Sequence, residues 1–115
     1  MANARKIDIA NLIGVSINEH GTANSVPANN ETVVASYLVD PGKTFYLIAS
    51  SATAIVDTVF RIYLDNELKE EIRTSWTNRT MRFIVEGRCV QVKITAEHMN
   101  ETARPFKATI VGKLY

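Results

Sequence analysis

Apolar and polar positions alternate with a period of two from Leu12 to Tyr115, broken by short turn signals and by no helix-period segment. Alternation of this kind puts successive side chains on opposite faces of a strand, so the pattern predicts antiparallel sheet throughout. The first expected strand is Leu12–Ile17, with Ile13, Val15 and Ile17 on one face. A polar connection from Asn18 to Asn30 follows, containing Gly21, Ser25 and Pro27. The second strand, Thr32–Val39, groups Val33, Ala35, Tyr37 and Val39. Asp40-Pro41-Gly42-Lys43 then reads as a turn, because Pro41 pre-sets φ and Gly42 accepts φ > 0.

The third strand, Thr44–Ser50, is apolar on both faces, as expected of a central strand. The fourth, Val56–Leu64, points Phe60, Ile62 and Leu64 inward and Arg61 and Tyr63 outward. Asp65-Asn66 closes a tight hairpin onto Glu67–Arg73, whose charges suit a sheet edge. Thr74–Arg79 is a loop carrying the only tryptophan, Trp76. A second hairpin is expected around Gly87-Arg88, joining Thr80–Glu86 to Cys89–Ala96 so that Met81, Phe83 and Val85 face Val90, Val92 and Ile94. After a loop from Glu97 to Pro105, Phe106–Leu114 closes the domain. About eight strands of this length make an all-β, single antiparallel β-sandwich of jelly-roll type. Residues 12–115 form that domain, and residues 1–11 form an N-terminal arm.

Composition narrows the function. A chain of 115 residues is one domain with a real core. A formal charge of +1 argues against a nucleic-acid partner held by phosphate neutralisation. No stretch approaches the roughly 20 apolar residues of a membrane span, and no signal peptide is recognisable at the start. A single cysteine, Cys89, allows no intrachain disulfide, so apolar burial must stabilise the fold.

The candidate chemistry is sparse. Glu19-His20 and Glu97-His98 fall in or beside expected loops, and adjacent residues in extended chain point apart, so neither metal ligation nor a cofactor is expected. Cys89 shares the polar face with Gln91, Lys93 and Thr95 and has no positioned base. Glu70 and Glu71 face opposite sides of a strand, which does not make a glycosidase pair. No enzyme is expected. Arg73, Arg79, Arg82 and Arg88 fall in one short interval, balanced by Glu70, Glu71 and Glu86. Three Asn-x-Thr sequons, at Asn30, Asn78 and Asn100, are read as coincidence in a chain rich in both residues. Trp76, in its loop, is read first as a cap on the end of the sandwich core, and otherwise as the candidate interface anchor or sugar-stacking platform.

The strand–turn–strand from Thr32 through Asp40-Pro41-Gly42-Lys43 to Leu47 resembles a pattern of small β-sandwich virion proteins of tailed bacteriophages. The hairpin from Phe60 to Leu68 is similar to their central hairpin, and Phe106 to Tyr115 to their closing strand. This resemblance, over about residues 26–115, implies a non-enzymatic virion protein: a capsid decoration (cement) protein, or next a head-fibre or tail component. It further implies a homo-oligomer, trimer favoured, that contacts other virion proteins and is made in a host cytoplasm. The arm residues Arg5, Lys6, Ile7 and Ile9 are then the expected protein contacts, two alternating isoleucines behind a basic pair. The rival reading is a carbohydrate-binding module in which Trp76 stacks on a glycan with Tyr37, Tyr46 or Tyr63.

Overall fold

A computed structural model describes residues 14–115. The arm residues Arg5, Lys6, Ile7 and Ile9, the boundary at residue 11, and Leu12 and Ile13 lie outside the described residues. Among the described residues, nine antiparallel strands occupy eight positions in two sheets. They are β1 (Val15–Val26), β2 (Thr32–Leu38), β3 (Phe45–Thr53), β4 (Thr58–Leu64), β5 (Glu67–Thr74), β6 (Thr80–Phe83), β7 (Gly87–Cys89), β8 (Gln91–His98) and β9 (Arg104–Leu114). One sheet, sheet A, has the order β1-β9-β3-β6, with β7 continuing beside β3 in line with β6. The other, sheet B, has the order β2-β8-β4-β5.

The pairings are nested. β4 pairs β5, β3 pairs β6 and β7, β2 pairs β8, and β1 pairs β9. A long hairpin rolled up on itself gives that order, which is the jelly-roll arrangement. The two inner faces meet in one core built on Phe45, Leu47, Phe60, Ile62, Val92, Ile94, Phe106 and Ile110. Phe60 and Phe106 pack edge to face, with ring centroids 5.7 Å apart.

Two turns close as their residues dictate. Lys43 N–H donates to Asp40 O at 3.1 Å with Gly42 at φ 83°, a type II turn. Asp65 and Asn66 sit at φ 53° and 66°, the paired left-handed conformations of a type I′ hairpin. β5 is the expected charged edge strand of its sheet.

Three expectations are corrected. The polar stretch from Asn18 is strand, because β1 runs to Val26 along β9 at the edge of its sheet. Gly21 is where β1 touches the opposite sheet: a Cβ there would stand 2.3 Å from Val34 O and 2.5 Å from Ala35 Cβ. No hairpin forms at Gly87-Arg88, since both residues belong to β7 on sheet A while β8 lies in sheet B. Val90, expected in the core, is consequently exposed, and Cys89, expected on a polar face, is buried beside Phe45. In β2 a bulge between Val33 and Ala35 shifts the phase, burying Val34 and exposing Val33.

Candidate functional site

The outer face of sheet B carries a knot of polar side chains centred on Arg61. Register places Arg61 of β4 between Thr95 of β8 and Glu71 of β5, all pointing away from the core. Arg61 Nε donates to Glu71 Oε1 at 2.7 Å, and Nη1 donates to Glu97 Oε1 at 2.9 Å. Glu31 Oε1 lies 3.4 Å from the same Nη1. The Tyr63 hydroxyl and the Thr95 hydroxyl both donate to Glu31 Oε2, at 2.5 and 2.6 Å. Lys93 Nζ stands 5.0 Å over the Tyr63 ring.

The titration behaviour follows from these contacts. Burial pushes the Glu31 carboxyl up, but the hydrogen bonds from Thr95 and Tyr63 and the charges of Arg61 and Lys93 outweigh it, so its pKa is lowered. The Glu31 contact in turn raises the Tyr63 phenol. Hydrogen bonds to Glu97 and Glu71 hold Arg61 firmly charged. Beside the knot is an open depression of about 530 Å³ lined by Asp57, Val59, Arg61, Arg73, Thr74, Ser75, Glu97 and Met99. Of its charged groups, Arg61 and Glu97 are engaged with one another, whereas Asp57 and Arg73 are in no ion pair among the described residues, so the depression offers free polar contacts to a partner.

The loops β1–β2, β3–β4, β5–β6 and β8–β9 gather at one end of the sandwich. Segment 54–57 ties three of them together, as Val56 N–H donates to Thr77 Oγ1, Met99 N–H to Asp57 O and Asn100 Nδ2 to Val56 O, while Asn29 N–H of the β1–β2 loop donates to His98 O. Trp76 is in this cluster, 39 % exposed, next to Ser75 of the depression but not lining it. The three sequon asparagines, Asn30, Asn78 and Asn100, also fall at this end. The Asn100 amide is committed to Val56 O, which ties it to the fold.

His98 is the functional-looking residue whose role the sequence misplaced. It ends β8 fully buried, packed on Phe106, and not in a loop. Its Nε2 lies 2.6 Å from Val26 O, and its Nδ1 accepts from Asn100 N–H at 3.1 Å. A carbonyl on one nitrogen and an N–H on the other fix the neutral Nε2–H tautomer. The imidazole therefore joins β1, β8 and the last loop as a strut. His20 sits far along β1 on the outer face, against Thr109 Oγ1.

The sugar-platform aromatics are dispersed. Tyr37 points inward and packs on Phe45, with centroids 4.9 Å apart. Tyr46 pairs with Lys113 and Arg88 on the outside of sheet A, and Tyr63 lies on the outside of sheet B. The three therefore do not form one platform. The arginine interval is likewise divided: Arg73 faces out from sheet B, Arg82 and Arg88 face out from sheet A, and Arg79 is in a loop. Cys89 is buried, and desolvation followed by the Asp65 charge pushes its thiol up to about 11, the reverse of an activated nucleophile.

Exposed apolar side chains at the opposite end, where the strands β1, β3, β5 and β8 begin, include Val15, Leu38, Leu68 and Val90. Val15 is 61 % exposed, Leu38 69 % and Val90 48 %. Val15 pairs with Leu114 at the start of β1, and Val39 N–H donates to Val90 O at 3.0 Å. Comparison of the chain with family models, with curated proteins and with solved structures finds no match.

Proposed function

We propose that the protein is a non-enzymatic structural component of a bacteriophage virion, a capsid decoration protein acting through protein–protein contacts as a homo-oligomer. The jelly roll alone does not select this role, since the same fold serves capsid and lectin domains. The observation that favours it is the set of exposed apolar side chains that includes Val15, Leu38 and Val90, at the end of the sandwich where β1 begins. Ile7 and Ile9 lie just upstream in the sequence. A neighbouring copy seated on this end would cover these exposed side chains and take up the isoleucines. Each isoleucine fully buried this way contributes roughly 1.5–3 kcal/mol. A trimer is the proposed state, and the same basic arm, Arg5 and Lys6 included, reaches a neighbouring subunit or the shell.

Mass spectrometry of purified virions made from the genome that encodes this chain tests the reading. Many copies per particle are expected, and absence from particles overturns it. Deleting residues 2–11 should leave the sandwich folded while sedimentation shows a loss of oligomer or of particle binding. A carbohydrate-binding role is the second reading, favoured by Trp76 standing exposed beside the sheet B depression. Glycan-array binding that vanishes in a folded Trp76→Ala variant would establish it in place of the first.

A further inference from the structure

We propose that the outer face of sheet A is a docking surface for an acidic protein partner, which on the virion reading is the shell. The two outer faces of the sandwich differ in charge. On sheet B, the cation Arg61 is met by Glu31, Glu71 and Glu97. On sheet A, register turns Lys107 and Lys113 of β9, Arg82 of β6 and Arg88 of β7 to the outside. Their neighbours there are Ser16, Asn18, His20 and Thr22 of β1, Thr109 and Val111 of β9, and Tyr46, Ala49 and Ser51 of β3.

No strand of this sheet sets a carboxylate among them. Glu19 pairs with Ile110 in the inward-facing register, and Glu86 lies in the break between β6 and β7. Among the described residues, none of the four cations is in an ion pair, and Lys113 Nζ is bonded to the neutral Ser16 hydroxyl at 2.6 Å. Glu86, exposed and two residues from Arg88 in the chain, forms no ion pair with any of the four, so the cations of this face are open to the carboxylates of an acidic partner.

The form of the face indicates what partner fits. It is a four-strand surface roughly 15 Å across, and Lys107 and Lys113 stand roughly 20 Å apart along β9. At its centre is a recess of about 250 Å³ bounded by Ala49, Ser51, Arg82, Thr109 and Val111. Small side chains there let an Asp or Glu side chain from the partner reach the Arg82 guanidinium, and the surrounding hydroxyls complete its hydrogen bonds. The molecule measures 52 × 30 × 20 Å, so it can lie with this broad face against a flat surface. Duplex DNA is a poorer match, because four cations spread over a flat sheet engage fewer phosphates than the six to ten of a strong DNA binder.

The test measures binding of the full chain to immobilised poly-L-glutamate and to duplex DNA over a range of salt. Two charge reversals on sheet A, R82E/K107E and R88E/K113E, are compared with K69E/R73E on sheet B, which changes net charge by the same amount. Circular dichroism verifies that each variant is folded. Both sheet A reversals should weaken poly-L-glutamate binding at least about tenfold and flatten its salt dependence, while the sheet B variant stays within about twofold. The proposal is overturned if wild type does not bind poly-L-glutamate, if all three variants lose affinity equally, or if DNA is bound more tightly than the polypeptide. The chain's absence from virions would remove the shell as the partner without altering this result. Presence in virions with unaltered binding of the sheet A variants would remove the face and leave the virion role standing.

Discussion

Replacing Arg61 by Met should cost the domain stability in a strongly pH-dependent way. The substitution keeps an unbranched aliphatic stem and removes the guanidinium. Lost with it are the two short charge-assisted hydrogen bonds to Glu71 and Glu97 and the longer contact to Glu31. The Arg61 side chain is 20 % exposed and its partners 30–46 %, so the pairs are neither surface pairs nor buried ones. An exposed pair contributes about 0.2–1 kcal/mol, whereas a hydrogen bond to a charged group contributes about 1.5–3 kcal/mol. Taking about 1 kcal/mol for each short pair, and adding the repulsion among three carboxylates that lose their shared cation, gives about 2–3 kcal/mol at pH 7. That corresponds to a fall in Tm of about 8–12 °C for a domain of this size. The sign with pH follows from Glu31, whose pKa in the folded state lies below its ordinary 4.5. A depressed carboxyl stabilises the fold above pH 4.5, and that contribution disappears as pH falls through the lowered value. The gap between variant and wild type should therefore shrink below about pH 4, as protonation also relieves the repulsion in the variant. Thermal unfolding of both proteins from pH 3 to pH 8 measures this. A Tm difference that is constant over the range, or under about 2 °C at pH 7, refutes the reasoning. A double-mutant cycle with Glu71→Gln should return about 1 kcal/mol of coupling.

Gly112→Ala should destabilise by about 2 kcal/mol or more, since its Cβ would stand 2.3 Å from both Phe45 Cζ and Tyr46 O. Denaturant titration should show a smaller loss, about 1 kcal/mol, for Gly42→Ala, where only the φ of 83° resists and nothing lies within 4 Å. Ser50→Ala should raise Tm by a few degrees, because the buried Ser50 hydroxyl has no hydrogen-bond partner and its removal recovers about 1 kcal/mol. A lowered Tm would mean that the hydroxyl is satisfied in solution. Native Cys89 should resist iodoacetamide at pH 8, where a thiol with a pKa of about 11 is ionised in about one molecule in a thousand, and should react promptly once urea unfolds the chain.

The sequence made the strand class legible because most strands have one face in the core, where alternation is enforced. The turns at Asp40–Lys43 and Asp65-Asn66 were legible because their chemistry is local: only certain residues reach those dihedrals. β1 was illegible because an edge strand needs few apolar residues. Its Asn, Glu, His and Thr positions look like loop, and its decisive residue, Gly21, is required by a contact with another sheet. The false hairpin at Gly87-Arg88 has the same origin. Gly87 does occupy φ 139°, but partner choice is made by the rolled-up topology, and β3 is closer than β8. Of the candidate surfaces, Trp76 was found at once as an exposed loop aromatic. Neither the Arg61 knot nor the cationic sheet A face could be read from spacing, because each gathers residues from several strands distant in sequence. Alternate positions marked Arg61 as outward. That it meets Glu31, Glu71 and Glu97 depends on strand order.

The nested pairing also orders the folding of the chain in time. Leu64 and Glu67 are partners three positions apart, whereas Val15 and Leu114 are partners 99 positions apart (114 − 15 = 99). Closing the outer pair first would fix a very long loop for one strand contact. Closing β4–β5 first brings β3 beside β6, then β2 beside β8, and each step adds only a short connection. The central hairpin is the natural nucleus, and β1 can add only after β9 exists. On a ribosome, β1 must therefore wait, unpartnered, until nearly the whole domain has been made. Folding kinetics should place the rate effect of Phe60→Leu chiefly on refolding. An Ala23→Gly change in β1 should instead act chiefly on unfolding.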